Sequence, residues 1–199
     1  MRAVSSTLVI ALICAAGAVQ AQSQAGDLRS VESFDAIADK TARSRALFEE
    51  AGKVILSPRC LNCHPKGDRP MQTDAMQPHV PKVVRGPDNT GVSALRCTTC
   101  HQGFNYEESG VPGHPLWKLA PRSMAWQGTS LGQICASIKD TKANGGRSLA
   151  ATEEHMGHDT LVGWGWRPGG TRTPAPGTQA QFGALISAWV ATGAACPAS

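Results

Sequence analysis

Hydrophobic residues recur at helical spacings in separate stretches of the chain, and the sequence between them is polar and broken by glycine and proline. Residues 30–55 read as helix in one or two pieces. Phe34, Ile37 and Ala38 share one face there, and Phe48, Ala51, Val54 and Ile55 share another. Thr129 or Ser130 is placed to cap a helix running to about Lys139, with Leu131, Ile134, Cys135 and Ile138 on one side. Ser148 is placed to cap another, to about Met156. Thr178 and Gln181 form a capping-box pattern ahead of a stripe of Phe182, Leu185, Ile186, Trp189 and Val190, which Gly193 ends. Residues 64–93 and 163–177 read as irregular chain, and strand-like alternation is scarce. The expected fold is all-α, with short helices and long irregular loops.

Composition sharpens this picture. With 21 glycines and 13 prolines in 199 residues, little chain is left for a conventional core. A small loop-rich domain of this kind needs something besides side chains to fill its interior. The net charge of +4 is dispersed, with no basic block, and gives no reason to expect a nucleic-acid partner. The beginning of the chain has the pattern of a secretory leader: Arg2, an apolar run over residues 8–16, then Val19-Gln20-Ala21. Cleavage after Ala21 is expected. It would leave residues 22–199 as one exported, periplasmic domain with no remaining apolar run long enough to cross a membrane.

Two C-x-x-C-H motifs carry the chemistry, Cys60-Cys63-His64 and Cys97-Cys100-His101. This spacing is the signature of c-type haem attachment: two thiols three residues apart on a helical turn add to the two vinyl groups, and the next residue turns its imidazole to the iron. Two haem c groups are therefore expected, with His64 and His101 as proximal ligands. C-x-x-C pairs also build structural zinc sites, which is the competing reading. Each iron needs a sixth ligand or stays open. His79, in a proline-flanked loop, and His155, on the Ser148 helix, are the expected distal ligands. His158 and His114 are alternatives, and Met156 would give His/Met coordination at one centre. Lys66, Arg69, Arg85 and Arg96 lie near the motifs and are candidates to pair with propionates. Trp117, Trp126, Trp164 and Trp166 are expected to pack against the porphyrins or the core. Cys135 and Cys196 remain, and in an oxidising compartment they are expected to form a disulfide; a thiolate haem ligand is the alternative.

Beyond the motifs themselves, the segments RCLNCHPKGDRPMQ, PHVPKVVRG, LRCTTCHQGFN, NGGRSL, HMGHDTLVGWGW and LISAWVATGAACP resemble a group of bacterial dihaem proteins known as isoquinoline 1-oxidoreductase subunits. The resemblance runs from about Cys60 to Pro197 and takes in His79 and His155. It implies the same four attachment thiols and two proximal histidines, and electron transfer from a molybdenum hydroxylase. No segment resembles a molybdopterin site. Two functions follow as expectations. One is an electron-transfer protein or subunit with both irons six-coordinate, relaying electrons from a dehydrogenase to a respiratory acceptor. The other is a dihaem redox enzyme, of peroxidase or thiosulfate-oxidising type, with one open or labile iron.

Overall fold

The structure is a computed structural model and describes residues 26–199. The leader expected over residues 1–21 lies outside them. The described chain is mostly helical, as the hydrophobic spacing predicts, with two minimal hairpins in place of larger sheets. The helices are α1 (Lys40–Ile55), α2 (Pro58–Leu61), α3 (Leu131–Lys139), α4 (Leu149–His158), α5 (Thr160–Gly163) and α6 (Gln179–Ala191). Among the described residues, no helix is long and apolar enough to cross a membrane.

The helix starts follow local capping chemistry. Ser130 and Thr178 make full capping boxes with Gln133 and Gln181. The Ser148 side chain accepts from Ala151 N–H, and the Asp39 side chain from Ala42 N–H. Near the chain start the structure departs from the expected helical face. Residues Val31–Phe34 form one 3-10 turn, Phe34 is buried, and Ala38 lies exposed ahead of the Asp39 cap.

The core is a three-helix packing of α1, α4 and α6. Phe182, Leu185, Ile186 and Trp189 of α6 are buried against Leu47, Phe48, Ala51 and Val54 of α1, and the rings of Phe48 and Trp189 lie 4.8 Å apart. Each such side chain contributes roughly 1.5–3 kcal/mol. Val190, at the edge of this stripe, is half-buried. On its other flank α6 meets α4 at a glycine pair, where a Cβ on Gly183 would stand 2.9 Å from the Gly157 Cα. Only hydrogen at both positions permits that approach. Cys135 of α3 and Cys196, beyond α6, form a disulfide with Cα atoms 5.6 Å apart, so the expected pairing is present.

Residues 64–93, read from sequence as loop, contain one hairpin and the start of another. β1 (Met71–Gln72) pairs with β2 (Gln77–Pro78), and β3 (Gly91–Val92) with β4 (Leu95–Arg96), both antiparallel. Two-residue strands are too short to show alternation, so this region carries no strand signal in the sequence.

Candidate metal centres

The first C-x-x-C-H turn leaves α1 directly. Ser57-Pro58 opens α2, and the amides of Cys63 and His64 both donate to the Cys60 carbonyl at 3.1 Å. This turn puts both thiols and the imidazole on one short stretch of chain. His64 Nδ1 lies 2.7 Å from the Met124 carbonyl, and its ring stacks on Trp126 at 3.5 Å with the planes 10° apart. A carbonyl can only accept, so Nδ1 carries the proton and Nε2 keeps its lone pair. Burial pushes the His64 imidazole down to about 4, against the Met124 bond, with nearby His155 adding to the fall. The ring is therefore neutral at any ordinary pH. The Cys60 and Cys63 thiols are partly accessible yet densely surrounded. That crowding pushes Cys60 up to about 12 and Cys63 to about 11.

These residues line an open cleft of about 240 Å³. Its walls come from α1 (Ile55), α3 (Ile138), α4 (Thr152, His155, Met156) and α6 (Phe182). Arg59, Lys118 and Arg147 also line it, against a single carboxylate, Asp88. Three buried polar atoms of lining residues have no hydrogen-bond partner: Arg59 Nε, Trp126 Nε1 and Thr152 Oγ1. A largely apolar cleft with spare buried donors and net positive charge suits a flat apolar ligand bearing carboxylates.

The second turn repeats the first in a different setting. β4 leads into the 3-10 turn Cys97–Thr99, and the amides of Cys100 and His101 donate to the Cys97 carbonyl at 3.2 and 2.9 Å. His101 Nδ1 lies 2.6 Å from the Pro112 carbonyl, and its ring stacks on Trp117 at 4.6 Å and 14°. Burial lowers the His101 imidazole also. Cys100 is exposed and Cys97 half-buried. The two turns share a neighbour: Trp117, stacked on His101, also lines the cleft of the first turn.

The structure distributes the candidate distal histidines unequally. The β1–β2 hairpin delivers His79 beside His101, with ring centres 5.8 Å apart, and His79 Nδ1 lies 2.9 Å from the Pro81 carbonyl. His155 lines the cleft with His64, and its Nδ1 lies 3.2 Å from Asp159 Oδ2. Its imidazole is lowered by burial and by Arg147, opposed by Asp159. Met156, also in the cleft wall, is buried. His158 is exposed. His114 has both ring nitrogens engaged, Nε2 with Thr160 Oγ1 and Nδ1 with the Leu116 amide, each at 3.1 Å. His114 follows Pro112 and Gly113, which pack on the chain around His101, but its ring nitrogens are engaged elsewhere.

Of the cations picked from sequence, Arg85 is buried in bonds to the carbonyls of Ala120 and Gly67 and to Asn89. Arg69 holds the His79 carbonyl. Arg96 is exposed, paired with Thr90 and Asp88, and Lys66 is exposed. The cleft cations are instead Arg59, Lys118 and Arg147. Arg59 sits next to Cys60 in sequence, and that adjacency was the one available signal for it.

Haem c fits these residues by donor chemistry. Four thiols are outside any disulfide, and two turns carry histidines fixed in the Nε2-ligating tautomer. A closed zinc site needs four convergent donors. Among the described residues no group of three His, Cys, Asp or Glu converges in that way. No family model, curated protein or solved structure matches this chain.

Proposed function

We propose that the chain is a periplasmic dihaem c-type cytochrome that relays electrons. Cys60 and Cys63 would hold one haem with His64 as proximal ligand, and Cys97 and Cys100 the other with His101. The observation that carries this reading is a repeated arrangement. Each turn holds a histidine whose Nδ1–H donates to a backbone carbonyl and whose ring stacks on a tryptophan, and each has a second Nδ1-anchored histidine nearby. Such anchoring fixes ring orientation and strengthens Nε2 as a donor.

When bound, each haem supplies a one-electron iron couple whose potential follows its axial ligands and surroundings. The chain's own residues do the rest. His155 and His79 would serve as the second ligands, one to each group, and a pair of histidines at each would favour electron transfer over substrate chemistry. The largely apolar cleft wall would limit water around the first centre. The exposed Cys100 turn gives the second centre a route to a partner. Trp117, which borders both turns, supports transfer between the centres. The resemblance to dihaem oxidoreductase subunits adds a molybdenum hydroxylase as the proposed donor and a respiratory carrier as acceptor.

The test is to express the chain with a c-type maturation system, count haem by pyridine haemochrome, and record low-temperature EPR of the oxidised form. Two covalent haems, both low-spin, are expected. A high-spin signal that shifts with cyanide or peroxide would favour the dihaem-enzyme reading, and no covalent haem would overturn both.

A further inference from the structure

Among the four histidines near the two turns, three donate Nδ1–H to neutral backbone carbonyls, of Met124, Pro112 and Pro81. His155 alone faces a carboxylate. That carboxylate is Asp159, at the junction of α4 and α5. Its Oδ1 accepts from the amides of Leu161 and Val162 at 2.8 and 3.2 Å, and its Oδ2 faces His155. Its own carbonyl is held by the Gln179 side chain, at the start of α6, at 2.9 Å. One residue thus caps α5, ties α4 to α6 and orients the imidazole that looks into the cleft.

We propose that Asp159 is a positioning residue that lowers the reduction potential of the first centre relative to what a carbonyl anchor would give; this rests on the dihaem reading above. The carboxylate does so in two ways. As a charged acceptor it draws the Nδ1 proton more strongly than a carbonyl, which makes Nε2 a stronger donor and favours the higher iron charge. As a fixed negative charge in a partly buried setting it favours the oxidised, more positive centre through space. The second centre has no such acceptor on either of its histidines, so the two centres are tuned differently by their anchors.

The test is Asp159→Asn in the full chain. Asparagine is as good an N-cap as aspartate, so its oxygen keeps the Leu161 and Val162 amides and α5 is retained; its amide nitrogen then stands where Oδ2 was and cannot accept from Nδ1–H, so the charge and the imidazole's acceptor are removed together. EPR-monitored redox titration, with haem attachment mapped by peptide mass, reads each centre separately. The expected result is a rise at the Cys60–His64 centre of about tenfold in the reduction equilibrium, equivalent to about 59 mV for one electron, and less than twofold change at the other. Equal shifts at both centres, or none at the first, would overturn the role of Asp159. Ser148→Ala, which removes the cap of α4 without touching His155, is the second arm. It should lower stability and leave both potentials in place; a potential shift as large as that of Asp159→Asn would assign the effect to helix placement and sink the proposal. If no haem is found on Cys60 and Cys63, the dihaem reading itself fails, an outcome distinct from an attached haem whose potential ignores residue 159.

Discussion

The two C-x-x-C-H turns share a backbone conformation, a Nδ1 anchor and a stacked tryptophan, yet they sit at opposite depths. The first is walled by α1, α3, α4 and α6 and opens only into a cleft that belongs to the core. The second rests on a hairpin and irregular chain, with Cys100 exposed and with Val80, Phe104 and Leu116 prominent on the surface nearby in sequence. The same five-residue motif therefore stands in two settings, one walled by core helices and one open to solvent. Local sequence sets the turn, and tertiary packing sets its surroundings.

The sharpest way to break the comparison is to remove one attachment at a time. Cys60→Ser/Cys63→Ser should drop the haem count from two to one and destabilise the fold by about 3–5 kcal/mol, the scale of a large core truncation. Cys97→Ser/Cys100→Ser should lose one haem with a far smaller fall in melting temperature. Equal losses, read by calorimetry, would mean that depth does not matter. Next in size, Cys135→Ala/Cys196→Ala opens a 61-residue span and should cost about 2–4 kcal/mol. Because α3 lines the first cleft through Ile138, any spectral change should be confined to that centre. Gly183→Ala should cost about 1–3 kcal/mol by forcing α6 from α4. It should perturb the EPR signal of the first centre alone, although residue 183 belongs to neither turn. The smallest effect on stability is expected for His79→Ala, within about 0.5 kcal/mol as for a surface change. It should convert the second centre to high-spin while the first stays low-spin.

Much of this architecture is legible in the residues. The caps at Ser130, Ser148 and Thr178 and the α6 stripe stand in the sequence because each is a local pattern. The Cys135–Cys196 pairing followed from elimination, once four of the remaining thiols were committed to motifs. What did not show is non-local. Nothing near Arg59 says that it will be buried in a cleft wall, and the stacking of Trp126 on His64 joins residues 62 positions apart in number. Asp159 was missed in the sequence; its bonds to the α5 amides and to His155 appear only where α4 meets α5. The Val31–Phe34 turn was overread as helix because Phe34, Ile37 and Ala38 happen to fit a helical spacing that the Asp39 cap interrupts.

Phe182 of α6 stands in the wall of a cleft that begins at Ile55. The wall around the first turn is therefore complete only when α6 has docked, although its cysteines come first in the sequence. The second turn is surrounded in part by nearer chain, through His79, Pro112 and Trp117, and in part by Asn105 and Trp117 reaching Trp164. Both settings thus depend on chain far downstream of their cysteines.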